Sequence, residues 1–167
     1  MKSAVFQDMV PFPHRYAVTA SGAGTGRGSL PSAGLPKLDS LPPPEFGGPG
    51  DHWSPETLLT GAVADCFVLT FRAVAQATGL AWTSVTCEVE GTVERIDRLT
   101  LFTGFVARAT LELPSSEQLD AAQRALHKAE QACLIGNSLK ARVQLQTTIV
   151  GGGKTIDPLP LSAGVTS

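Results

Sequence analysis

From Ser54 to Gly79 the chain reads SPETLLTGAVADCFVLTFRAVAQATG, and apolar side chains fall on almost every side of the helix that this spacing predicts. Ser54 is a good N-cap residue, and Pro55 suits the first helical position, where its missing N–H costs nothing. Asp51 and Glu56 bring negative charge to the positive end of the dipole, and Gly79 supplies the stop. Leu58, Leu59, Ala62, Val63, Cys66, Phe67, Leu69, Thr70, Ala73 and Val74 leave only Asp65, Arg72 and Gln76 as interruptions. A helix apolar nearly all round belongs in an interior, so this one is expected to run through the middle of the domain with a partner subunit on one side.

The period then changes to two. Trp82–Arg95 alternates Val85, Cys87, Val89 and Val93 against Glu88, Glu90 and Thr92, and Leu99–Leu113 is longer and in places apolar on both faces. Ile96, Asp97 and Arg98 make so short a connection that the two stretches read as an antiparallel hairpin. A second helix is expected from Ser115, with Gln118 closing a capping box, to about Ala132. Val143, Leu145, Thr147 and Ile149 then alternate as a last strand.

Ahead of the first helix, His14 to Ala20 reads as a strand. Residues 21–53 are rich in Gly, Pro and Ser, with short edge strands near Gly28–Leu30 and Gly34–Leu38 completing a meander. Pro42, Pro43 and Pro44 with Gly47, Gly48 and Gly50 exclude regular helix there. So long a loop in a compact domain is usually functional or packed against a partner. The segment 151–167, GGGKTIDPLPLSAGVTS, has no period and reads as a flexible tail. The order of elements indicates one α+β domain over residues 1–167, with its core at about 14–150.

Composition narrows the function classes. The 167 residues carry a net charge of −2 and no basic block, so nucleic acid and anionic membrane are not expected partners. No secretory signal is seen at the start, and no uninterrupted apolar run reaches membrane-spanning length. Three cysteines form no disulfide scaffold, and an odd number fits a reducing cytoplasm. Two of them, Cys66 and Cys133, fall in helical runs bounded by small residues. Such a pair suggests one thiol that is oxidised and a second that rescues it. Cys87 alternates with Val85 and Val89 and reads as core.

The run SPETLLTGAVADCF resembles the central-helix motif of the OsmC/Ohr family of peroxide-reducing proteins: a small residue, Pro, Glu, an apolar stretch and Cys-Phe, with the spacing from Glu56 to Cys66 in keeping. KAEQACLIGNSLKARVQL is similar to the family's second-cysteine motif around Cys133, and GGPGDHWSPE to its glycine-rich approach to the helix. The resemblance covers roughly residues 14–150. It implies antiparallel sheets packed around a central buried helix, in an intertwined homodimer with two active sites at the interface. It implies a thiol peroxidase acting on organic hydroperoxides in the oxidative stress response, with Cys66 peroxidatic and Cys133 resolving. An external dithiol, often lipoyl-type, restores the pair, and no metal or organic cofactor is needed. The family also holds an arginine beside the thiolate through the helix glutamate, here Glu56. Arg27 in GAGTGRGSL is the candidate and Arg15 the fallback. Leu134 stands where many members carry proline.

Blander roles remain open from the residues themselves. Glu56 also fits a dipole-matched first-turn carboxylate, and Arg27 a solvated loop residue. His52 and Trp53 suit either a pocket mouth or packing, and His14 and His127 have no ligand spacing. No Gly-x-Ser-x-Gly, phosphate loop or zinc-ligand cluster is present. The competing reading is a non-catalytic protein of the same fold that binds a small apolar ligand or senses oxidants through its thiols. A cation beside Cys66 is what separates the two.

Overall fold

The computed structural model describes residues 11–152 and 154–156. The chain divides into two compact units, Met1–Pro55 and Glu56–Ser167. In the first, β1 (Gly28–Leu30) and β2 (Leu38–Ser40) form an antiparallel hairpin, the second strand lying slightly later than the sequence suggests. His14 to Ala20 is not a strand: only Ser21 pairs, through an isolated bridge to Ser29. The alternation there is real, but the pairing does not extend past Ser21 among the described residues, and Tyr16 is 90% exposed. A 3-10 turn at Pro44–Phe46 replaces regular helix, as the prolines require. Ser40 bridges Trp53 in parallel, and Leu41 donates to the Trp53 carbonyl at 2.9 Å, which ties the approach to the helix onto β2. Gly48 is obligatory in this turn, because a Cβ would lie 1.6 Å from the Pro42 carbonyl oxygen.

The long helix α1 spans Pro55–Thr78 without a break and follows the fully buried Ser54. Gly79, at φ +66°, ends it: Leu80 N–H returns to Ala75 O and Gly79 N–H to Gln76 O, the two bonds of a Schellman cap. By length and composition alone α1 is long and apolar enough to cross a membrane, even with Asp65 and Arg72 within it. Its Phe67, Phe71, Val74 and Ala75 instead join the core of the second unit, as a core helix of a globular domain does. The burial is one-sided. Leu69 is 49% exposed, and Cys66 only half-buried, so this chain by itself does not cover the helix all round.

The second unit is a four-stranded sheet in the order β3-β4-β5-β6. β3 (Ser84–Ile96) and β4 (Leu99–Leu113) form the expected hairpin. Asp97 and Arg98 both take positive φ, the two-residue turn whose twist suits a hairpin. A bulge at Thr92/Val93 leaves Thr103 unpaired. This bulge brings Phe102 and Phe105, three residues apart, into a stack at 4.8 Å. α2 (Leu119–Ala132) and α3 (Leu134–Ser138) then carry the chain back along the sheet. β5 (Arg142–Gly151) consequently joins β4 in parallel, so the sheet is mixed rather than wholly antiparallel. β6 (Lys154–Ile156) pairs with β5 where the sequence reads as tail. The rest of that tail, residues 157–167, lies outside the described residues.

The capping box is not formed. Ser115 Oγ accepts Glu117 N–H at 3.5 Å ahead of a 3-10 turn. Gln118 sends its side chain away, accepting Ala81 N–H at 3.0 Å and tying the start of α2 to the segment after α1. On the core face of the sheet the register aligns Val89 with Ala107 and Leu145, and Cys87 with Ala109 and Thr147. Ala107 and Ala109 are small, as are the buried Ala122, Ala125 and Ala129 of α2, so helix and sheet can approach closely.

Candidate functional site

All three cysteines are free, and three separate elements bring them together. Cys66 lies in the middle of α1, Cys87 on the core face of β3, and Cys133 between α2 and α3. Cys133 takes an extended conformation (φ −67°, ψ 106°) and so breaks what would otherwise be one helix. The sequence reads this as the end of a helical run; the structure shows a break with a second short helix beyond it.

The break has consequences for sulfur. The segment that begins at Cys133 meets Cys66 through its backbone, and the two thiols are close enough to influence each other's ionisation. Ile135 N–H donates to Cys66 Sγ at 3.5 Å, and Thr70 Oγ1, one helical turn on, lies 4.0 Å from the same atom. Burial pushes the Cys133 thiol up, as do the hydrogen bond and the charge of Cys66, while the N–H groups of Gly136 and Ile135 work in the opposite direction. Cys133 is therefore kept as a neutral thiol beside Cys66. Cys87 is pushed up to about 11, first by burial and then by Cys133, which suits the core role read from its strand position. A thiolate is the reactive form of cysteine, so this environment disfavours reaction at Cys87.

Glu56 stands in the first turn of α1, and its Oε2 is buried with no hydrogen-bond partner among the described residues. An orphaned buried carboxylate oxygen is costly, and a cationic donor would satisfy it. Ten residues separate Glu56 from Cys66 on the same unbroken helix, about 15 Å along its axis. Arg27 sits on β1's approach, 59% exposed, with Nη1 3.8 Å from Asp39 Oδ2. Lys37 Nζ holds the other oxygen of Asp39 at 2.9 Å, and that hydrogen bond lowers the Asp39 carboxyl. Arg15 lies in the exposed segment outside any strand. His52 bonds Asp51 at 2.5 Å, and Trp53 is half-exposed after its bridge to Ser40. His14 stacks on Phe12, and His127 pairs with Glu130. Among the described residues no group of three or more His, Cys, Asp or Glu could hold a metal.

Three participants escaped the sequence reading as site residues: Thr70, Ile135 and Asn137. Thr70 is four residues from Cys66, a spacing that puts the two on one helix face, so its signal was present. Ile135 contributes only backbone, which no side-chain pattern announces. Asn137 donates Nδ2 to the Gln131 carbonyl at 2.8 Å, across the break.

A family model described as OsmC-like protein matches residues 48–148, well over half of the chain and both helix motifs. The chain belongs to the OsmC-like family. This OsmC-like protein is 28% identical over 138 residues to the uncharacterized protein YmaD of Bacillus subtilis (strain 168), an alignment covering 80% of this chain and 91% of that one. It is similar to the crystal structure of an organic hydroperoxide resistance protein OsmC from Legionella pneumophila, with 25% identity and a TM-score of 0.65. That alignment covers 83% of this chain and 99% of the other. An OsmC-like protein of unknown function from Vibrio cholerae gives a TM-score of 0.72 at 17% identity, covering 81% of this chain and 99% of its own. The likeness to that chain is one of fold. The resemblance read from SPETLLTGAVADCF and from the Cys133 segment is thus upheld at the level of family and α+β fold.

Proposed function

We propose that this protein reduces organic hydroperoxides with Cys66 as the peroxidatic and Cys133 as the resolving residue. The observation that carries the reading is the hydrogen bond from Ile135 N–H, two residues beyond Cys133, to Cys66 Sγ, which joins the segments of the two cysteines. The Legionella neighbour's description as an organic hydroperoxide resistance protein supports the substrate class. The Cys66 thiolate attacks the peroxide, breaking the O–O bond. One oxygen stays on sulfur as sulfenic acid, and the other leaves as an alcohol after taking up a proton. The Cys133 thiol then displaces hydroxide from the sulfenic sulfur, giving a disulfide and water. An external dithiol, of the lipoyl type, reduces the disulfide by exchange and becomes the cyclic disulfide itself. No step needs a metal or organic cofactor.

The asymmetry of the pair agrees with these roles. Cys66 is half-buried and reachable, while Cys133 is buried and held neutral beside it. Arg27 is the proposed cation for the Cys66 thiolate, with Arg15 as the alternative, and Glu56 its clamp. About 15 Å of continuous helix keeps Glu56 from the Cys66 of its own chain. The clamp is therefore assigned to the partner subunit's Glu56 in a homodimer. The uncovered side of α1 and the exposed Phe12, Tyr16 and Val18 support such a partner, since each leaves apolar surface in water. The thiol chemistry fits a reducing cytoplasm.

The test is consumption of cumene and tert-butyl hydroperoxides with dihydrolipoamide as reductant. Protein treated with one equivalent of hydroperoxide should carry a Cys66–Cys133 disulfide on peptide mapping, with Cys87 reduced. A Cys66–Cys87 link, or ligand binding without turnover, overturns the assignment; the latter favours a non-catalytic binder. Sedimentation at micromolar concentration should give a dimer of about 35 kDa, twice the 17.4 kDa chain. A monomer at that concentration removes the shared-site arrangement.

A further inference from the structure

A helix that ran on through Cys133 would bond Ile135 N–H to the carbonyl four residues back, that of Gln131. In this structure neither group does so. Ile135 N–H goes to Cys66 Sγ at 3.5 Å, and the Gln131 carbonyl accepts Asn137 Nδ2 at 2.8 Å. Asn137 also donates its own N–H to the Cys133 carbonyl at 3.0 Å, as the first helical bond of α3. One residue thus fastens both sides of the break: its side chain takes the place of Ile135 on the last turn of α2, and its backbone anchors α3 to Cys133. Nothing else described bonds the Gln131 carbonyl, and the last turn of α2 has no basic side chain to serve its carbonyls.

We infer that Asn137 is a positioning residue for the thiol pair: by substituting for Ile135 N–H at the Gln131 carbonyl, it holds the chain broken at Cys133, so that Ile135 N–H and the Cys133 thiol both face Cys66. Two arrangements of the same segment compete. In the broken one, Gln131 is satisfied by Asn137 and Cys66 receives the N–H. In the continuous one, Ile135 returns to Gln131 and the Cys133 side chain turns with the helix. The amide of Asn137 favours the first, and so sets the effective concentration of Cys133 at Cys66. The bond is exposed, and water can occupy the carbonyl in its place. Its effect is accordingly that of one ordinary hydrogen bond, roughly a three- to tenfold change in equilibrium.

This inference rests on the assignment of Cys66 and Cys133 as the redox pair, but its readout does not need peroxidase activity. Full-length protein, parent and Asn137→Ala, is equilibrated with mixtures of reduced and oxidised dithiothreitol, and the Cys66–Cys133 disulfide is quantified by mass. Oxidised dithiothreitol takes up the two hydrogens as the protein disulfide forms, so the exchange constant measures how well the thiols are juxtaposed. Asn137→Ala is expected to lower that constant roughly three- to tenfold. With hydroperoxide, it should also raise the fraction of Cys66 trapped as sulfenic acid by dimedone. Asn137→Asp keeps the shape but lacks the N–H donor, and should behave like the alanine variant. An unchanged constant in either variant overturns the inference and leaves the proposed function standing. A parent protein that forms the disulfide in dithiothreitol yet consumes no hydroperoxide overturns the function alone. A parent that forms no Cys66–Cys133 disulfide in either assay overturns both.

Discussion

Replacing Cys66 by serine is expected to abolish hydroperoxide reduction, lowering turnover by roughly a thousandfold or more while the protein remains folded. The size follows from the chemistry. A thiolate forms readily near neutral pH and is an intrinsically strong nucleophile toward the O–O bond, whereas a serine hydroxyl stays protonated and cannot cycle through sulfenic acid. The fold should survive because Cys66 is half-buried and its contacts are undemanding. Ile135 N–H at 3.5 Å and Thr70 at 4.0 Å can both be met by a hydroxyl. The measurement is hydroperoxide loss under dihydrolipoamide, with far-ultraviolet circular dichroism as the control for folding. Undiminished turnover in Cys66→Ser would end the assignment of that residue. Loss of activity together with loss of fold would call for Cys66→Ala before any conclusion.

The sequence made some of this site readable and hid the rest for a definite reason. Cys66, Cys133 and Glu56 stand out as candidates because each occurs within a run of side chains whose types and spacing carry information. The structure then bonds Ile135 N–H, two residues beyond Cys133, to Cys66 Sγ, and leaves Glu56 Oε2 without a described partner. Ile135 acts through its N–H, which every non-proline residue possesses, so no pattern singles it out. Asn137 is informative only once the path beyond Cys133 is known: a helix end near Ala132 was expected, but nothing announced the short helix that follows. The family pattern did hold a hint, since many members carry a proline after this cysteine, a residue that stops a helix from passing through. Leu134 does not, and hydrogen bonding by Asn137 maintains the break instead.

The fold divides the same way. Local signals located α1 almost to the residue, because Pro55 and Gly79 act within one turn of where they stand. The hairpin of β3 and β4 was equally accessible, its two-residue turn being fixed by neighbours in sequence. Pairings between distant segments were not. The parallel match of β5 to β4 depends on where α2 delivers the chain, and β6 exists only because β5 offers it an edge. His14 to Ala20 shows the converse: alternation alone does not make a strand, and among the described residues the pairing stops at Ser21. Gln118 shows how tertiary bonding overrides a local motif, since its carbonyl oxygen serves Ala81 rather than the helix start.

The largest expected effect on stability belongs to Phe71→Ala. Phe71 is fully buried on the side of α1 that joins the core, and its ring meets Trp82 edge-on at 5.5 Å. Removing a buried phenylalanine costs about 3–5 kcal/mol, from lost apolar burial and from the cavity left behind. The whole stability of a domain is only about 5–15 kcal/mol, so the loss is a large part of the total. The position makes relaxation difficult. α1 is covered by this chain on one side only, and Phe67, Phe71, Val74 and Ala75 are what hold it there. Collapse of the helix into the cavity would move Cys66, five residues away, off the Cys133 thiol. Urea denaturation should therefore show a sharply lower midpoint, and any folded fraction should form the Cys66–Cys133 disulfide less readily. Phe71→Leu, which refills much of the space, should lose less of both. If partner subunits cover the other side of α1, the midpoint will also rise with protein concentration, a dependence that the core substitution leaves in place. A Phe71→Ala protein with the parent's midpoint would mean that α1 is held mainly from its other side, and the one-sided core described above would not be what fixes the site.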